Sequence, residues 1–322
     1  MLELFQSRIL WRMQRLRLRG YLLVLLAASQ WATIGLFYRI LVDQYGLARQ
    51  TVVAYRAGLS ALVLIAGLLL RQPGWLRVRR QDWPFFALFG VVGVAGFYLA
   101  YIAAISSGSV AQAAVLLYTA PFWITLWATI REHELLGLRK LLALGLAFVG
   151  CALVAGITDP VHLRSNGLAI LWGLGSGLGY AVYSVCSAVA TRRGYRPWTV
   201  VTYSLGIGAI MLFAVAPLGD TSRILHTPSL WGWLLAVAFL PTLLAPVCFT
   251  WGLQSVPTSD ASIIATLEPV IAAGLAALLL GEGLGFAQLL GGACVLAAVL
   301  LLTAAGRQGK PLPTTDQAPT HA

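Results

Sequence analysis

The sequence predicts an all-α integral membrane protein of ten transmembrane helices, built as two inverted five-helix repeats. Three observations predict it. Of 322 residues, 59% are apolar and only 10% charged, whereas a soluble domain carries about 25% charged residues; this is too little charge to cover a soluble globule of such length. The apolar residues gather into ten runs of about 20, the length a helix needs to cross the hydrocarbon core. One fixed offset in numbering also relates the first half of the chain to the second.

The runs lie at 20–42, 48–70, 83–106, 109–130 and 139–157, then at 167–190, 198–218, 229–254, 258–280 and 286–305. They are apolar all round rather than alternating over short stretches, which selects helices over barrel strands. Basic residues set their direction. Arg8, Arg12, Arg15, Arg17 and Arg19 precede the first span, and Arg71, Arg77, Arg79 and Arg80 follow the second. Arg131, Arg139 and Lys140 follow the fourth, Arg192, Arg193 and Arg196 the sixth, and Arg307 and Lys310 the tenth. Against these 17, the opposite side holds four: Arg39, Arg49, Arg164 and Arg223. Lys and Arg accumulate on the cytoplasmic side. Both termini are therefore expected in the cytoplasm, with the chain in a bacterial-type inner (plasma) membrane. The net charge of +11 then needs no nucleic-acid partner.

Residues 1–19 lack the apolar core and cleavage site of a secretory signal. Their arginines recur at helical spacing among Leu4, Ile9, Leu16 and Leu18, which predicts a basic amphipathic segment on the membrane surface; a start at Met13 is the alternative. Residues 306–322, rich in Pro, Thr and Gln, are expected to form a disordered cytoplasmic tail. Cys151, Cys186, Cys248 and Cys294 fall inside spans and are read as free thiols.

The repeat is the most specific feature. Thr51-Val-Val-Ala-Tyr-Arg-Ala-Gly58 matches Thr199-Val-Val-Thr-Tyr-Ser-Leu-Gly206 at five of eight positions, 148 residues apart. The same offset pairs Trp83 with Trp231, Ser107 with Ser255, Pro121 with Pro269, Glu134 with Glu282 and Gly137 with Gly285. Generic apolar similarity would match Leu and Ala, not Trp, Pro and Glu. The unit holds five spans, an odd number, so the second copy enters from the opposite side. Inverted repeats of this kind mark many secondary transporters, in which two pseudo-equivalent halves expose one midplane site to each face in turn.

Ala261-Ser-Ile-Ile-Ala-Thr-Leu-Glu-Pro-Val-Ile-Ala-Ala-Gly274 through Gly281-Glu282 resembles the ninth span of the EamA-type permeases, in the drug/metabolite transporter superfamily. Arg56 also matches that pattern, and Ala113–Glu134 is a weaker copy in which Ala120 precedes Pro121 and His133 precedes Glu134. The resemblance covers about 20–305, implies five-helix repeats at 20–157 and 167–305, and implies carrier activity. It leaves the substrate open among amino acids, amines, drugs and other metabolites; export over import rests on it alone.

Ionisable groups inside a span are costly and mark candidate sites. Arg56 lies in the second span and Glu268 near the middle of the ninth, beside a small-residue face of Ala261, Ala265 and Ala272. Arg56 suits a carboxylate. Glu268 suits a substrate amine or a proton, or a structural pair with Arg56. Polar and aromatic stripes add Gln30 and Thr33, Tyr98 and Tyr101, Tyr118 and Trp123, and Tyr180 and Tyr183 as cavity candidates, because such rings hold apolar or cationic ligands. Pro121 and Pro269 each remove a helical hydrogen bond and are read as paired hinges; Pro241 and Pro246 are expected to bend the eighth span. Glycines at 173, 175, 177 and 179, and at 291 and 292, allow close helix contact. The fifth and tenth spans, poor in polar groups, are expected at the periphery.

Enzyme signatures fail. His133-Glu134-Leu135-Leu136-Gly137 lacks the second histidine of a zinc-protease motif, and no phosphate loop or nucleophile elbow occurs. No metal or cofactor is expected. The sequence thus reads as a secondary carrier exporting amino acids or related small metabolites, whose partners are its substrate and the lipid bilayer, as a monomer or homodimer. An organic-cation or drug carrier with an aromatic cage is one alternative; a non-transporting membrane enzyme or scaffold is another.

Overall fold

The computed structural model describes residues 2–156, 167–281 and 283–306, with side chains from residue 15 onward except 218 and 304–306. The predicted tail beyond Gly306 and Glu282 lie outside the described residues, as do the side chains of the predicted surface segment up to residue 14. Among the described residues every regular element is helical. In lipid a helix satisfies all its own backbone donors and acceptors.

The first helix, α1, runs unbroken over Leu2–Trp31, across the predicted join at residue 20, then continues as Ile34–Tyr38 and a π-helical stretch, Arg39–Gln44. Helix α2 is Arg49–Arg71. Helix α3 comprises Trp83–Leu88, π-helical Phe89–Gly96 and Phe97–Ser107. Helix α4 comprises Val110–Leu117 and Ala120–Arg131, and α5 is Leu138–Val154. Helix α6 is Gly167–Arg192 and α7 is Pro197–Phe213. After a short helix at Leu218–His226, α8 comprises Pro228–Val237, π-helical Ala238–Leu244 and Ala245–Gly252. Helix α9 comprises Thr258–Ala265 and Leu267–Leu280, and α10 is Phe286–Gly306. Eight of these helices are long and apolar enough to cross a membrane, so the chain is an all-α, multi-pass membrane protein. The other two, α5 and α7, have 17 residues each.

Helix α2 packs on α7 and α5 on α10; α3 packs on α6 and α1 on α8; α4 packs on α6 and α1 on α9. A shift of 148 exchanges α1 with α6, α3 with α8 and α4 with α9, so each contact maps onto itself or onto another of the set. The interruptions of α3, α4, α8 and α9 follow the same rule, whereas those of α1 have no counterpart in α6, which is continuous over Gly167–Arg192. The π-helical stretch of α3, shifted by 148, covers 237–244, and that of α8 is Ala238–Leu244. Helix α4 breaks before Ala120 and α9 before Leu267. In both breaks a threonine turns its hydroxyl back onto a carbonyl three residues earlier, Thr119 to Leu116 and Thr266 to Ile263, each at 2.6 Å.

Close approach needs glycine at the α5–α10 seam. A Cβ on Gly150 would lie 2.7 Å from the Gly291 carbonyl oxygen, and one on Gly291 would lie 2.6 Å from that of Gly150. In α6, Gly177 sits against the Leu116 carbonyl and Gly179 against Phe97 in the same way.

The loops α2–α3, α4–α5, α6–α7 and α8–α9 share one face, here called the basic face. There the α2–α3 loop is pinned to the α6–α7 turn. Arg193 Nη1 lies 2.6 Å from Asp82 Oδ1, the Tyr195 hydroxyl donates to Asp82 Oδ2 at 2.6 Å, and Thr199 donates to the Trp75 carbonyl at 2.6 Å. Burial and the Asp82 carboxylate hold the Tyr195 hydroxyl above its ordinary pKa. On the opposite face the repeat equivalent of Thr199, Thr51, donates to Asp220 Oδ2 at 2.6 Å; the same oxygen accepts from Ala48 N at 2.9 Å.

Candidate functional site

The two halves enclose a cavity of about 1120 Å³. It runs from the middle of the bundle to the opposite face, where Asp43, Arg49, Val110 and Gln288 line it. Toward the basic face it stops at Tyr183, Trp31 and Ser262, and none of its lining residues lies on a basic-face loop.

Arg56 projects onto this cavity from α2 and is only 4% exposed. Its turn is fixed by Ser60, whose Oγ lies 2.6 Å from the Arg56 carbonyl oxygen and 2.7 Å from that of Ala238, in the π-helical stretch of α8. The guanidinium carbon stands 4.5 Å from the Tyr98 ring centre and 6.0 Å from that of Tyr38. A ring face attracts a cation but satisfies no hydrogen bond. Nε and Nη1 of Arg56 are buried with no hydrogen-bond partner.

Glu268 lines the same cavity from α9. It lies in the first turn of Leu267–Leu280, just past the break at Thr266. That break supplies a helix N-terminus in the middle of the bundle, where free N–H groups favour a carboxylate. Pro269 and Pro121 also line the cavity, each in the first turn after a break, so the residues read as hinges stand where helical bonding is interrupted.

Aromatic rings form most of the remaining wall. Tyr98, Tyr101, Tyr118, Tyr180 and Tyr183 all face the cavity. Tyr180 and Tyr183 stack with centres 6.1 Å apart, and Trp31 meets Tyr180 edge-on at 6.1 Å. Three predicted residues are not brought to the wall. Gln30 is buried beside it, its amide donating to the Leu26 carbonyl at 3.1 Å and 4.0 Å from Cys248 Sγ. Thr33 donates to the Gln30 carbonyl at 2.7 Å. Trp123 is 40% exposed on the outside of α4. In α1 the wall is instead built by Trp31, Ile34, Gly35 and Tyr38. The sequence signal for that face was present: Trp31 and Tyr38 are seven residues apart, two helical turns along one face.

Deeper than Arg39, Asp43 and Arg49 at its mouth, the cavity therefore presents a cation with unused donors, Arg56, and a carboxylate, Glu268, within an aromatic shell. Among the described residues no cluster of His, Cys, Asp and Glu suits a metal ion.

Comparison with known proteins follows the same lines. The model of the EamA-like transporter family matches residues 18–156 and, a second time, 167–304. An uncharacterized transporter of Archaeoglobus fulgidus is 35% identical over 244 residues, 74% of this chain and 84% of that protein. The threonine/homoserine exporter RhtA of Escherichia coli K12 is 29% identical over 271 residues, 82% of this chain and 85% of its own. A crystal structure with 19% sequence identity superposes with a TM-score of 0.73, covering 91% of this chain and 99% of that one. At that identity the likeness speaks for the fold alone.

Proposed function

Because this chain belongs to the EamA-like transporter family, and is thus a membrane transporter, we propose that it exports amino acids or related small metabolites across the inner membrane by alternating access. In this reading ten helices cross the bilayer as two inverted repeats, 20–157 and 167–305, and the basic face is cytoplasmic. A 17-residue helix is about 26 Å long, near the lower limit for a span, which admits α5 and α7 to the count. The exchange of helix contacts under the 148 shift, and the matching interruptions of α3 with α8 and α4 with α9, support the repeat.

The observation that carries the substrate class is the pairing of Arg56, with two unused buried donors, and Glu268 in one cavity. A zwitterion offers a carboxylate to the first and an ammonium to the second. Resemblance to a threonine/homoserine exporter points the same way. A second reading, an organic-cation carrier, is favoured by the five tyrosines named above, with Glu268 as counter-charge.

Counterflow of radiolabelled L-threonine into proteoliposomes tests the proposal. Uptake that excess unlabelled amino acid abolishes and tetraethylammonium leaves intact is the expected result. Absence of L-threonine counterflow, together with counterflow of radiolabelled tetraethylammonium that its unlabelled form abolishes, would select the second reading instead.

A further inference from the structure

Lys140, in the first turn of α5, joins the two halves of the bundle at the basic face. Its Nζ lies 2.7 Å from Asp260 Oδ1 and 2.6 Å from Ser259 Oγ, both in the first turn of α9, and it pairs with Glu134 on the α4–α5 loop. Ser259 Oγ in turn donates to Glu134 Oε2 at 2.5 Å. Beside this group, Glu132 accepts from Thr258 at 3.5 Å and pairs with Arg192 at 2.6 Å. Arg17 and Tyr21 of α1 face Asp260 from another side. The cluster thus ties the α4–α5 connection to α9, α6 and α1, beyond the closed end of the cavity.

Its central charges are largely dehydrated: Lys140 is 11% exposed, Asp260 14% and Glu134 21%. Removing one partner of such a pair strands the others and costs far more than a surface ion pair is worth. A contact of this kind is either made or broken, with little between.

The repeat supplies an internal comparison. Shifted by 148, Lys140 becomes Gln288, Asp260 becomes Gln112 and Ser259 becomes Ala111. Ala111 and Gln288 line the open end of the cavity, and Gln112 Oε1 is buried without a partner. One mouth therefore carries a lysine between two carboxylates, while its counterpart has neither the lysine nor Asp260.

Resting on the reading of the chain as an alternating-access carrier, we propose that Lys140, with Glu134 and Asp260, is the gate of the basic-face mouth. The cluster holds that mouth shut in the conformation seen here, and it must break for the cavity to open on that side. The uncharged Gln288 and Gln112 in place of Lys140 and Asp260 make the two mouths unequal, so the state open to the opposite face is the resting state.

Spin labels on Leu135→Cys and Gln254→Cys, exposed positions on the α4–α5 and α8–α9 loops, report the width of this mouth. They are placed in the full chain with its native cysteines replaced. Lys140→Met is expected to raise the ratio of long to short distances on the order of tenfold. Should Lys140→Met fail to fold, Ser259→Ala removes the bridging hydroxyl without stranding a charge, and a smaller shift in the same direction is expected. Distance distributions superimposable on wild type overturn the gate. If the wild-type mouth widens with L-threonine while the variant distribution stays superimposable, the gate alone fails. If neither L-threonine nor any substitution moves the labels, alternating access fails with it.

Discussion

Arg56 is held in place by a costly arrangement. A buried donor left without a partner costs about 1–3 kcal/mol, and Arg56, which lines the cavity, has two such nitrogens. A residue serving only the fold would be expected to have those donors paired. Methionine has similar reach and no charge, so Arg56→Met is predicted to leave thermal stability in detergent unchanged or raised while abolishing L-threonine counterflow. Were Arg56 instead the structural partner of Glu268, the substitution would strand the carboxylate and lower the melting temperature; that outcome would remove Arg56 from the substrate site. Both charges were legible in the sequence because charge inside a span is rare and expensive. Trp123 misled for the opposite reason. A tryptophan is as much at home against lipid as in a cavity, and helical spacing does not distinguish the two. In α1 the polar pair Gln30 and Thr33 drew attention from the adjacent face, where Trp31 and Tyr38 line the wall.

The broken helices were only half legible. Pro121 and Pro269 announce lost hydrogen bonds, and both breaks fall just before them. The π-helical stretch of α3 contains no proline, though glycine recurs in it at 90, 93 and 96; it packs against α6 and α7. In α9, Pro269 has no N–H to offer the Ala265 carbonyl four residues earlier, which is the ground for proposing that Leu267–Leu280 pivots at Thr266. Pro269→Ala restores the missing donor. It is predicted to raise the melting temperature by a few degrees and to slow L-threonine counterflow several-fold. Pro121→Ala should act in the same sense, since it holds the equivalent place in α4. Unchanged transport in both variants would make the breaks static features that shape the cavity.

At the scale of the molecule, the charge pattern makes an energetic case for orientation. Each Lys or Arg near an anionic cytoplasmic leaflet contributes about 1 kcal/mol, and the proposed topology assigns 17 basic residues of the sequence to one side and four to the other. Reversing the bundle would forfeit roughly ten kcal/mol on that scale, more than any single contact described here contributes. The helix order was therefore easier to read than the helix count: an alternating bias survives even where α5 and α7 are short, because it depends on the loops and not on span length. The orientation is directly testable. Leu135, 92% exposed, lies on the α4–α5 loop, and Leu225, 63% exposed, lies on the short helix between α7 and α8. In a background without native cysteines, a membrane-impermeant maleimide added to intact cells should label Leu225→Cys and leave Leu135→Cys untouched until the cells are permeabilised. The reverse pattern would turn the molecule over. The cavity would then open to the cytoplasm, and the Lys140 cluster would close the outer mouth rather than the inner one.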